Sequence, residues 1–244
     1  MTKTGSGKPA NEGNRSASGA REIVLDVLLE ILEKKQYSHL VLQRALAKYQ
    51  YLDKQERSFI KRTVDGTLER LMQVDCLIES YSSVKLRKMK PVIRTILRMS
   101  VYQICFMDRI PDSAACNEAV KLAVRRGFSG LKGFVNGVLR NVSRHKDEIT
   151  WPDDSTAFCL PQWIFSMWER QYGKEAARTM AESFLKERPL TVRMNLSLAS
   201  REEIADSLES QGVKVRESGF AEDVVFLSQV DYLESLDAFL DGWI

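Results

Sequence analysis

The sequence predicts a mainly α-helical protein: an all-α domain followed by a small, truncated α+β module. Three observations predict it. Apolar residues recur at helical spacing from residue 21 to about residue 146. The period then shifts to two near residue 190. The charge changes sign between these regions: residues 1–150 carry 27 Lys/Arg against 16 Asp/Glu, and residues 151–244 carry 9 against 17. The 244 residues suffice for two small domains, and the net charge of +3 conceals the opposition between them.

Residues 1–20 are rich in Gly, Ser, Asn and Lys and nearly free of large apolar side chains. Such a segment cannot offset its ordering entropy, so a disordered tail is expected. It also lacks the apolar stretch of a signal peptide, and the chain reads as cytoplasmic. No apolar run reaches the ~18 residues of a membrane span.

Residues 21–147 read as helices. Ile23, Val24, Val27, Leu28, Ile31 and Leu32 share one face, and Leu42, Ala45, Leu46 and Tyr49 repeat the pattern. Asp53 with Glu56 forms a capping-box start for a long helix with the stripe Ile60, Val64, Leu68, Leu71 and Ile78. A further helix opens near Pro91 and buries Ile93, Ile96, Leu97, Val101 and Ile104. Asp112 or Ser113 caps the next, with Ala115, Ala119, Leu122 and Ala123 inside. Gly127, Gly130 and Gly133 mark a turn before a helix that buries Leu131, Phe134, Val135, Val138 and Val142.

Residues 151–244 form the second region. Pro161 suits the start of a helix carrying Trp163, Ile164, Met167 and Trp168, whose rings are expected to be core. Leu190, Val192, Met194 and Leu196 alternate with polar residues, as on a half-buried strand. Ser200 and Glu203 make a capping box for a helix that Gly212 stops; strands follow around 213–215 and 224–227. Strand, helix, strand, strand begins a ferredoxin-like unit. The ending Asp241-Gly242-Trp243-Ile244 reads as an interrupted strand.

The candidate interface is cationic. Residues 85–146 hold 14 basic and 3 acidic side chains, which attracts polyanions through counterion release. Lys132, Asn136, Arg140 and Arg144 recur every four residues opposite an apolar stripe and form a ridge. Asn117, Lys121 and Arg125 do the same on the preceding helix. Lys85, Arg87, Lys88 and Lys90 crowd the loop before Pro91, and Arg94 and Arg98 extend it. The glycine turn offers backbone N–H groups to a phosphate. Arg193 and Asn195, two apart on a strand, share its polar side, where they can clamp a phosphate or read a base edge.

No catalytic constellation is visible. His39 and His145 are isolated, and Cys76, Cys105, Cys116 and Cys159 form no C-x-x-C pair and no metal-ligand spacing with a His. The four Cys read as small buried hydrophobes. No glycine-rich nucleotide turn follows a strand.

Several segments then carry a resemblance. They are Ile96–Gln103, Asp108-Arg109-Ile110-Pro111, Asn117-Glu118-Ala119-Val120 and Phe134–Asn141, supported by Glu56-Arg57 and Val64-Asp65-Gly66. Together they closely resemble the NusB-like RNA-binding domain, most of all the one opening the bacterial 16S rRNA cytosine-5 methyltransferases of the Sun/Fmu (RsmB) type. Leu160-Pro161-Gln162-Trp163-Ile164, Tyr172-Gly173 and Pro189 followed by Arg193-Met194-Asn195 are similar to the start of the RNA cytosine methyltransferase module.

The resemblance implies binding of 16S ribosomal RNA, and S-adenosylmethionine as the cofactor of the full-length family member. It implies no cofactor, metal or membrane for this chain itself. The family's catalytic cysteines stand in Thr-Cys and Pro-Cys motifs. Here the four Cys follow Asp75, Ile104, Ala115 and Phe158, so no catalytic residue carries over. The chain is expected to end about where the family's catalytic domain begins. The alternative is a NusB-like transcription antitermination protein, which would need little beyond the helical domain.

Overall fold

The computed structural model describes residues 12–186, 188–230 and 232–244, with side chains described from residue 19 onward. It divides into two compact units, residues 1–185 and 186–244.

The first unit is all-helical. Its elements are α1 (Glu12–Leu32), α2 (Ser38–Lys48), α3 (Lys54–Glu69), α4 (Leu71–Tyr81), α5 (Pro91–Phe106), α6 (Asp112–Arg125), α7 (Lys132–His145), α8 (Asp154–Ala157), α9 (Gln162–Tyr172) and α10 (Lys174–Phe184). Helix α5 is the hub. It is buried nearly all round, through Ile93, Ile96, Leu97, Met99, Val101 and Ile104 among others, and packs against α1, α3, α4, α6 and α7. Pro91 at its first turn lacks an N–H that would be unpaired there anyway. Among the described residues no helix is long and apolar enough to cross a membrane.

Several expectations change here. Of the tail expected over residues 1–20, residues 1–11 lie outside the described residues, and from Glu12 the chain is already helical, with Ala20 buried. Extending an anchored helix adds one hydrogen bond per residue fixed, which polar composition does not forbid. The single long helix after Asp53 is two, broken at Arg70, whose ψ is 17°. Asp53 does cap α3, accepting from the Glu56 amide at 2.8 Å.

Helix α6 is capped by neither Asp112 nor Ser113; its N-cap is Pro111, without a side-chain cap. Asp112 turns instead to α7, accepting from Ser143 Oγ at 2.8 Å and from Lys146 Nζ. The compact units divide at residue 185, some 35 residues beyond the change of charge sign. Helix α8 is tied to α4, where Gln73 Nε2 donates to Ala157 O at 2.7 Å, and Arg70 donates to Leu185 O. In α9 the buried ring is Phe165, which packs on Ala177 and Ala181 of α10, while Trp163 is 69% exposed.

The second unit holds β1 (Leu190–Arg193), α11 (Arg201–Ser210), β2 (Lys214–Glu217), β3 (Val224–Ser228) and α12 (Asp237–Leu240). The sheet is antiparallel in the order β1-β3-β2. Met194, Ile204, Leu208, Val225, Leu227 and Ala238 form its core. Ser200 and Glu203 make a full capping box on α11, and Gly212 takes a positive φ beyond its end. The alternation read from Leu190 to Leu196 is shorter in the fold: β1 stops at Arg193, and Leu196 is exposed.

The ending is not a strand. After α12 the chain turns at Gly242, Trp243 O accepts from the Asn195 amide at 2.7 Å, and Trp243 and Ile244 pack on the core. A short strand needs a partner ladder; here the turn directs the apolar ending inward instead.

Candidate nucleic-acid interface

Helix α7 is the most strongly amphipathic part of the candidate surface. Val135, Val138, Leu139 and Val142 are buried against the bundle. On the other side Lys132, Arg140 and Arg144 are exposed and Asn136 is half-buried. Among the described residues no carboxylate pairs with these three cations. The end of α7 is fastened by Lys146 and Asp112 at 2.9 Å and by the stacking of His145 on Tyr81. Asp112 also raises the Lys146 ammonium above its ordinary range by accepting its hydrogen bond.

Lys85, Arg87, Lys88 and Lys90 are exposed. Buried Leu86 and Met89 pin the loop between them, and Glu79 accepts from the Leu86 amide. No carboxylate pairs with these four cations among the described residues.

The other predicted cations are engaged. Arg98 makes a bidentate pair with Asp75 at 2.7 and 2.6 Å, with side chains only 12% and 26% exposed. Arg94 holds Glu33 at 2.6 and 2.8 Å and donates to Leu86 O. Both therefore lie largely inside the fold rather than extending the exposed loop cluster. A guanidinium facing the bundle must be paired, and Glu33, just beyond α1, and Asp75 of α4 supply the carboxylates. On α6, Lys121 pairs with Glu118 and Arg125 with Glu22, though both cations keep exposed side chains, and Asn117 is exposed. The turn before α7 contains a 3₁₀ turn, Ser129–Leu131, that consumes the Leu131 and Lys132 amides. It leaves less of a phosphate seat than the glycines imply.

In the second unit, Arg193 is exposed and donates from Nε to Asp223 at 2.5 Å, which holds the Asp223 carboxyl below its ordinary range. Asn195 is occupied by the fold: Oδ1 accepts from Ser197 Oγ at 2.6 Å and Nδ2 donates to Gly242 O. Its side chain is exposed, with both polar atoms already engaged within the fold. The two residues line an open cleft of about 500 Å³ with Met194, Leu196, Ser197 and Asp223.

Among the described residues no group of three or more His, Cys, Asp or Glu could hold a metal ion. Burial raises all four thiols, Cys105 to about 12, which is opposite to what a nucleophile needs.

This arrangement matches a known family. The model described as "NusB family" matches residues 18–144, more than half of the chain. The chain belongs to the NusB family. A second model, described as "Methyltr_RsmF/B-like, ferredoxin-like domain", matches residues 160–232. The "Probable ribosomal RNA small subunit methyltransferase B" of Bacillus subtilis is 34% identical over 216 residues, 86% of this chain and 48% of that relative. The protein of the same name from Synechocystis is 29% identical over 231 residues, 92% of this chain and 52% of that relative. The chain thus spans about half the length of the curated relatives it matches. The crystal structure of PH0851 shares the fold at a TM-score of 0.65 and 18% identity, over 91% of this chain and 51% of that one.

Proposed function

We propose that this member of the NusB family is the RNA-binding portion of an rRNA cytosine-5 methyltransferase acting on 16S rRNA. The observation that carries the reading is the exposed row Lys132, Arg140 and Arg144, unpaired among the described residues, on a helix whose opposite face is fixed in the core. Three cations held on one rigid helix meet phosphates with little added ordering cost. The match of a methyltransferase-type ferredoxin-like domain to residues 160–232 supports this reading over a free-standing antitermination factor.

The full-length family member is expected to use S-adenosylmethionine. The residues described here do not fit that group. The sheet has three antiparallel strands, and the segments leaving β1 and β3 (residues 194–200 and 229–230) contain no glycine to let the backbone approach it.

The test is binding of the full chain to a 16S rRNA hairpin across a salt series. Log K is expected to fall with log salt by about 0.7–0.9 per phosphate contact. Lys132→Glu, Arg140→Glu and Arg144→Glu together should abolish most of that dependence. Unchanged affinity and slope would remove the ridge from the interface.

A further inference from the structure

One face of the sheet in the second unit has a composition its surroundings do not share. Phe226 of β3 lies opposite Thr191 of β1 and Arg216 of β2; Val224 lies opposite Arg193, and Ser228 opposite Lys214. Val225 and Leu227, one step out of phase, are buried in the core. Side chains alternate across a strand, so the first set shares the opposite face. An aromatic ring stands at its centre.

That ring is not alone. The Arg216 guanidinium lies 4.7 Å from the Phe226 ring centroid. Phe220, in the loop between β2 and β3, meets Phe226 edge-on at 5.9 Å and 86°. It is 79% exposed, and its amide is tied to Ser218 Oγ at 3.1 Å. With Phe226 it makes an aromatic patch that is open to solvent at Phe220.

The charge on this face is equally selective. Residues 186–244 carry 12 acidic and 6 basic side chains. Yet the charged strand positions on this face are Arg193, Lys214 and Arg216, all cations. Asp223, from the adjoining loop, takes only the Nε of Arg193. A guanidinium has four further N–H groups for a ligand.

We propose that this face is a stacking platform for unpaired RNA. Bases stack on the exposed Phe220 ring and on the guanidinium plane of Arg216, and phosphates meet Arg193 and Lys214. Every base has a π-face, so the platform takes single strands with little sequence preference. A duplex keeps its bases stacked on each other and cannot use it. The proposal rests on the RNA reading above and adds the form of RNA and a second place that binds it.

The experiment uses the full chain with two labelled RNAs, an unpaired pyrimidine 12-mer and the 16S rRNA hairpin. Phe220→Ala, at an exposed position, is expected to weaken the 12-mer about tenfold, within the range stacking losses give, while leaving its salt slope unchanged. Lys214→Gln, which removes a cation assigned to phosphate, is expected to reduce that slope by about 0.7. Cross-linking from 4-thiouridine in the 12-mer should map to Phe220 or Phe226. If both variants bind the 12-mer within twofold of the parent, the platform is overturned, whether or not the face serves a protein. If ridge variants alone lose binding, the platform falls and the function proposed above stands. If the parent chain binds neither RNA, both fall.

Discussion

Tyr102 occupies the space that a side chain at Gly66 would need. A Cβ built on Gly66 would lie 2.0 Å from both Cζ and Oη of the Tyr102 ring. The Val64-Asp65-Gly66 segment of α3 is therefore read as a packing requirement: α3 passes so close to α5 that only hydrogen fits.

Gly66→Ala is expected to destabilise the chain by about 3 kcal/mol, at the upper end for overpacking, because a rigid ring rather than a flexible chain end must move. A double-mutant cycle with Tyr102→Leu checks the cause. The pair should cost less than the sum of the two single changes. Strict additivity in urea denaturation would sink the explanation.

The engaged arginines should separate stability from binding. Arg98→Ala is expected to cost about 2 kcal/mol, since it leaves the partly buried Asp75 without its charged donor. The slope of RNA affinity against salt should not change. A variant that lost slope and kept its stability would return Arg98 to the interface.

Helix α9 offers a contrast between neighbours. Trp163→Ala at an exposed position should change stability by less than about 0.5 kcal/mol. Phe165→Ala should cost about 3 kcal/mol through the cavity it leaves among Phe158, Ala177 and Ala181. Thermal melts of the two variants decide it; similar losses would place Trp163 in the core after all.

Alkaline pH should act on the fold through Cys105. Burial pushes its thiol from an ordinary 9.0 to about 12. Below pH 9 both states hold the proton. Between about 9 and 12 the unfolded chain releases it and the folded one does not, so stability falls as pH rises. Cys105→Ala should flatten part of that decline in urea titrations at pH 8, 9 and 10. An identical pH slope in variant and parent would show that the thiol titrates normally.

Helices α2, α5, α6 and α7, the cap Asp53, the capping box at Ser200 and the turn at Gly212 were legible in the sequence. Each depends on neighbours within one or two turns. The cationic character of residues 85–146 was legible for the same reason. The role of each cation was not. Arg94 and Arg98 read like Arg140 and Arg144 along the chain, and only the positions of Glu33 and Asp75 separate them. Asn195 read as a free amide because its partner, Gly242 O, lies 47 residues away. The exposed face at Phe226 left a signal in the alternation of 224–228, but its charge depends on which strands flank it.

Residue order alone specifies the helical domain, the α+β module after it and the opposed charges of the two regions. Periodicity, capping and charge are local properties that survive without a fold. Which arginines face carboxylates and which side of the sheet stays open depend on the packed fold. Those outcomes turn on contacts between residues tens of positions apart. There the competition between burying, pairing and exposing a side chain is settled by the neighbour that packing supplies.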